Sequence, residues 1–200
     1  MGWRETAPER IIPPVIDLHF VIPELAVGAS FPMQGAARLA KDHGIQRVVD
    51  VRLEARDDEA LLQVHGIRLL HLPTEDCCAI SARHIRDGVA FAVEGMKLGE
   101  RVFVHCQYGI GRSALLSLCV LVARGMEPLE AMARVKDARS VISPSPEQLA
   151  AFVRFCRERR QADGATWPVP TVERLGAIAW RHLRGDPDLD EARAASTRKR

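Results

Sequence analysis

The chain reads as an α/β protein: a single domain with a central mixed, mostly parallel sheet flanked by helices, continued by a C-terminal helical extension. Three observations predict this. Apolar periodicity alternates between strand-like and helix-like runs, as in chains that lay down strands and helices in turn. A run of helices then closes the alternation. The 200 residues, 47% hydrophobic and 27% charged, suffice for one well-buried domain and are awkward for two.

Leu18 to Ile22 and Leu25 to Gly28 read as short strands split by Pro23. Pro32 to His43 reads as a short helix closed by Gly44 at a C-cap position. Ile45 to Val51 and Ile67 to Leu72 read as strands. Ser81 can cap a helix whose buried stripe is Ile85, Val89, Val93 and Met96, stopped near Gly99. Arg101 to Val104 is a short strand. Arg112 to Arg124 is apolar almost all round, which predicts a helix buried on most sides. Gly125 ends it, and Pro128 opens the next helix where proline is tolerated. Ser145-Pro146-Glu147-Gln148 is a capping box, with Leu149, Phe152, Val153 and Cys156 following at helical spacing. Asp163-Gly164, Pro168 and Pro170 mark a linker. Leu175, Ile178, Ala179, His182 and Leu183 then predict a last helix packed back on the domain. The expected organisation is an N-terminal segment 1–14, the main domain 15–162, a linker and helix 163–185, and a disordered tail 186–200.

The formal net charge of +2 gives no reason to expect nucleic-acid binding, which needs a basic face. The first residues lack the apolar run of a signal peptide, and the most apolar stretch, Ala114 to Ala123, is half a membrane span. The expectation is a soluble, cytoplasmic protein. Five cysteines, unevenly spaced, argue against a disulfide framework, and the lack of Cys-x2-Cys spacing argues against zinc. No metal or other cofactor is called for. Nothing in the sequence speaks to oligomeric state.

The chemistry is carried by His105-Cys106-Gln107-Tyr108-Gly109-Ile110-Gly111-Arg112-Ser113, between a strand and the buried helix. A strand–loop–helix junction gathers backbone N–H groups at the positive end of a helix, a nest for a tetrahedral anion. Gly109 and Gly111 let the loop take backbone angles closed to other residues. Cys106 opens the loop, and the surroundings that bind phosphate also favour a thiolate. Arg112 closes it with a planar fork that can hold two phosphate oxygens. Ser113 can donate its hydroxyl to the sulfur. The bland alternative, a buried cysteine before a buried helix, does not explain the other residues at these offsets.

These residues resemble the His-Cys-x5-Arg-Ser/Thr signature of the cysteine-dependent protein tyrosine phosphatase superfamily, in its compact dual-specificity branch. The resemblance spans about residues 20 to 160 and extends to Glu24–Gly28, His43–Val51 and Ser143–Gln148. It implies the protein tyrosine phosphatase-like fold and a phosphocysteine intermediate: Cys106 as nucleophile, Arg112 and Ser113 in catalysis, and Gln107 to Arg112 around the phosphate. His105 would orient the loop. It further implies a general-acid aspartate on a loop some thirty residues before the cysteine. Asp76 stands there, after a strand, with Glu75 as its rival.

The five loop residues 107–111 carry no charge, whereas lipid phosphatases of this superfamily tend to place lysine or arginine there. The expected partner is therefore a phosphoprotein bearing phosphotyrosine, with phosphoserine and phosphothreonine also admissible. The alternatives are a phospholipid or small-metabolite phosphatase, and an inactive phosphate-binding adaptor. Arg52, Arg56, Arg83 and Arg86 are candidates for the pocket rim, with solvated surface positions the default for each. Either Cys77 or Cys78 could trap an oxidised Cys106 as a disulfide, against a default of inert loop or core cysteines.

Overall fold

A computed structural model describes residues 15–183. The N-terminal segment 1–14, the tail 186–200 and the last two residues of the expected extension lie outside that range. Leu18–Ile22 (β1) and Leu25–Gly28 (β2) pair antiparallel around Pro23. Ile45–Arg52 (β3), Arg68–Thr74 (β4) and Arg101–His105 (β5) then complete one five-stranded sheet in the order β1-β2-β5-β3-β4. Every pairing except β1–β2 is parallel. A parallel sheet must be covered on both faces, and side chains of opposite parity along each strand do this. Phe103 and Val48 join the smaller core. Val102, Val104, Val49 and Val51 join the larger one.

The smaller core lies under Ala36–Lys41 (α1) and Glu59–Val64 (α2), through Leu39 and Leu62. The larger is covered by Ala82–Lys97 (α3), Arg112–Ala123 (α4), Pro128–Ala138 (α5), Pro146–Asp163 (α6) and Val172–Ala179 (α7). Eleven of the twelve residues of α4 are buried, as its apolar circumference predicts. The capping box of α6 is complete, with Ser145 Oγ accepting from Gln148 N and Gln148 Oε1 accepting from Ser145 N.

The structure departs from the sequence-based reading in three places. Pro32 to His43 splits into a 3₁₀ turn, Met33–Gly35, followed by α1. Helix α2 was not foreseen: it is six residues long, and only Leu62 in it is buried. In the extension, Leu175 and Ala179 are buried as expected, but His182 and Leu183 lie in an exposed 3₁₀ turn, Arg181–Leu183. Among the described residues no helix is long and apolar enough to cross a membrane.

Candidate active site

Register brings Gly28, His105, Asp50 and His71 side by side across β2, β5, β3 and β4. Beyond this row lie the carboxyl ends of the parallel strands, where open α/β sheets hold ligands. Residues 106–111 turn there from β5 into α4, and Cys106 is 2% exposed. Its Sγ accepts the Gly109 N–H at 3.2 Å and lies 3.4 Å from the Ser113 hydroxyl oxygen. The first backbone hydrogen bond of α4 runs from Leu115 N to Gly111 O, so the N–H groups of the helix's first residues face the loop.

Four consecutive carbonyls of this loop are gripped from outside. Ser30 N donates to Gln107 O at 3.3 Å, and Ser143 N donates to Ile110 O at 3.0 Å. Arg139 donates to Tyr108 O at 3.0 Å and to Gly109 O at 2.8 Å. Because the peptide unit is planar and trans, a carbonyl turned outward sends the next N–H inward. The loop is thereby a cup of donors. Arg139 is 6% exposed and is itself anchored by Asp17 at the start of the described chain, with Nη2 donating to Oδ2 at 2.7 Å. The guanidinium in turn holds the Asp17 carboxyl below the usual carboxylate range.

The two loop glycines serve different ends. Gly109 has φ +66°, and a Cβ there would stand 2.4 Å from the Gly28 carbonyl carbon. Gly111 has φ −117°, open to any residue, so the expectation of an unusual backbone angle fails there. What it needs is space, since a Cβ would meet the Gln148 amide oxygen at 2.5 Å.

Arg112 is fully buried. Nη1 donates to Glu54 Oε2 at 2.7 Å and to Thr74 O at 2.8 Å, and Nη2 donates to Glu54 Oε1 at 2.7 Å. Asp76 Oδ1 lies 3.1 Å from Nη2, which places the predicted acid against the predicted phosphate-binding arginine. Nε is buried without a partner among the described residues and remains the fork's spare donor. The Arg112 hydrogen bonds hold the Glu54 carboxyl down at about 2. Glu54, in the β3–α2 connection, was missed by the sequence reading because it belongs to no motif and lies 58 positions from its partner.

His105 is fully buried, stacked on Phe103 at 5.3 Å and edge-on to Phe31 at 5.5 Å. Its Nε2 is 2.9 Å from Asp57 Oδ2. Asp57 and Asp50 share the Arg52 guanidinium: Nη2 donates to Asp57 Oδ1 at 2.6 Å, and Nε donates to Asp50 Oδ1 at 2.9 Å. Burial works against the Asp50 carboxylate, and the Arg52 fork outweighs it, leaving the group below its ordinary range. Asp50, Asp57 and His105 gather ligand-type atoms within 4.8 Å, but Arg52 already supplies the positive charge between the two carboxylates.

The cavity above the loop, about 190 Å³, is lined by Asp76, Cys77, Cys106, Tyr108, Ile110, Gly111, Ser143, Ser145 and Gln148. Tyr108 and Ile110 expose apolar surface there, 61% and 37%. Glu75 does not line the cavity, which favours Asp76 of the two acids. Nor does any of Arg52, Arg56, Arg83 and Arg86. Arg52 is buried in the network under His105, Arg56 pairs with Glu59, Arg83 pairs with Asp87, and Arg86 lines a separate groove between α3 and α6. Cys77 borders the cavity at φ +62°, whereas Cys78 does not. Burial and nearby carboxylates raise the Cys78 thiol. Cys119 and Cys156 are core, the latter pushed up to about 12 by burial.

A strand–loop–helix anion cup around a buried cysteine, at the carboxyl edge of this sheet, defines a cysteine-based phosphatase fold. The family model "Dual specificity phosphatase, catalytic domain" matches residues 29–158, and the chain belongs to that family. It is 34% identical over 95 residues to "Phosphatidylglycerophosphatase and protein-tyrosine phosphatase 1" of Mus musculus, a match covering 46% of this chain and 49% of the relative. It is 45% identical over 58 residues to "Dual specificity protein phosphatase 1" of Homo sapiens, covering 28% of this chain and 16% of that one. The chain thus spans about half or less of the length of these relatives. Among solved structures, PTPMT1 in complex with PI(5)P superposes with a TM-score of 0.69 at 26% identity, covering 74% of this chain and 99% of that one.

Proposed function

We propose that the chain hydrolyses phosphate monoesters through a phosphocysteine intermediate. The carrying observation is the placement of Cys106 Sγ at the floor of the cup, with the Gly109 N–H and the Ser113 hydroxyl upon it and Arg112 closing the loop. In this reading Cys106 attacks phosphorus. The residues Gln107, Tyr108, Gly109, Ile110, Gly111 and Arg112 hold the equatorial oxygens, whose charge grows in the transition state. Asp76 protonates the leaving oxygen and, in the second step, takes a proton from the attacking water. Ser113 stabilises the departing thiolate. His105 serves as support, its ring clamped by two aromatic residues and Asp57.

The preferred substrate is a single phosphate monoester on a protein, phosphotyrosine before phosphoserine or phosphothreonine. Residues 107–111 carry no charged side chain for a second phosphate, and Tyr108 and Ile110 offer apolar surface to a ring. A second reading is a phospholipid headgroup ending in one phosphate, favoured by the likeness to a phosphatidylglycerophosphatase.

Two experiments test this. Cys106→Ser should abolish turnover and keep oxyanion binding, measured by phosphate release and by tungstate titration; turnover in that variant refutes the covalent route. A panel of phosphopeptides, single-phosphate phospholipids and phosphoinositides, compared by kcat/KM, separates the substrates; preference for a lipid overturns the protein reading.

A further inference from the structure

The C-terminal extension lies beyond the family match, which ends at residue 158, yet it reaches the site through one segment. Residues 139–145, between α5 and α6, touch both catalytic loops. Arg139 and Ser143 N hold the cup from outside, and Ser145 Oγ donates to Cys77 O at 2.9 Å, beside Asp76. The segment contains no regular helix or strand of its own.

One contact from the extension holds it directly, and two more act on it through α5. Trp180 Nε1 donates to Pro144 O at 3.0 Å. Lys136 Nζ donates to Ser140 O at 2.6 Å, to Ile142 O at 2.7 Å and to His182 Nδ1 at 2.6 Å. An ammonium has three protons, and here three acceptors take them. His182 must be the neutral Nε2–H tautomer to accept the third. Arg181 pairs with Asp137, one residue along α5.

We propose that Trp180 and His182 are positioning residues for the phosphatase reaction. They fix segment 139–145, and through it the placement of the anion cup relative to the Asp76 loop. This rests on the proposed function. Neither residue lines the cavity, so both act only through that segment.

The test uses the full chain and tungstate as probe. Trp180→Phe deletes the indole N–H together with part of the six-membered ring that packs on Gly176, so its effect on binding is read beside its melting temperature. His182→Phe removes the acceptor, whereas His182→Asn keeps an acceptor close to the Nδ1 position. Trp180→Phe and His182→Phe should each weaken tungstate binding and lower kcat/KM about tenfold, the equivalent of one net hydrogen bond. His182→Asn should restore most of both. Unchanged tungstate affinity in both damaged variants overturns the proposal, as does lowered melting temperature with normal kcat/KM for the folded fraction. Failure of the unaltered protein to bind tungstate would overturn the phosphatase reading itself, and this proposal with it.

Discussion

Replacing Gly109 by alanine tests the closeness of the cup to the sheet. At φ +66° an L-residue costs roughly 1–2 kcal/mol. The added Cβ would also sit 2.4 Å from the Gly28 carbonyl carbon, 2.5 Å from its oxygen and 2.7 Å from Ala29 N. Ordinary contacts lie near ~3.5–4.0 Å, so the loop must move by about 1 Å. The obstructing atoms are backbone at the end of β2 and cannot rotate away. A total cost of about 3 kcal/mol is expected, with kcat/KM falling on the order of 100-fold because the reacting geometry shifts. Gly66→Ala is the control: φ is +74°, and nothing lies within 4 Å of the added carbon. It should carry the strain alone, about 2–4 °C of melting temperature per kcal/mol for a chain of this size. Calorimetry and phosphate release on both variants decide the matter. If Gly109→Ala melts like Gly66→Ala and keeps activity within about threefold, well short of what a 1 Å shift should cost, the argued contact between cup and β2 is wrong.

Asp76→Asn should slow esters with poor leaving groups by about 10²–10⁴ and those with good leaving groups far less, since only the former need the proton. Equal losses, measured with alkyl and nitrophenyl phosphates, would remove Asp76 from the role of acid. Glu54 has a folded-state value of about 2 against an ordinary 4.5. The unfolded chain therefore binds the extra proton between those values, so the stability from this pair is complete above about 4.5 and lost as pH falls through about 2. Glu54→Gln should flatten that part of the stability curve, read from denaturant midpoints at several pH values. Arg47 is fully buried at the other end of β3, donating to Phe91 O at 2.7 Å, Glu94 at 2.8 Å and Glu100 at 2.6 Å. Arg47→Ala removes a buried stem packed on Phe91 and the donor to Phe91 O, so it should cost about 2–3 kcal/mol yet leave tungstate affinity of the folded protein unchanged.

Local order was legible from the chain alone, because it depends on neighbours. The split at Pro23, the apolar circumference of α4 and the reciprocal bonds between Ser145 and Gln148 each involve residues a few positions apart. The cup was legible for the same reason: Cys106, Gly109, Arg112 and Ser113 lie within one strand–loop–helix turn. Asp76 was found only through the family resemblance, as one acidic loop residue looks like another. What holds the cup could not be read this way. Glu54, Asp57 and Arg139 reach their partners across separations of 58, 48 and 30 positions. They follow no period: Glu54 and Asp57 meet their partners because parallel pairing sets the ends of β3 and β5 side by side, and Arg139 does so because α5 packs against α4 and β1. Gly111 makes the same point at the scale of one atom: the chain marks the glycine, but only the packing of α6 shows that it clears room for Gln148.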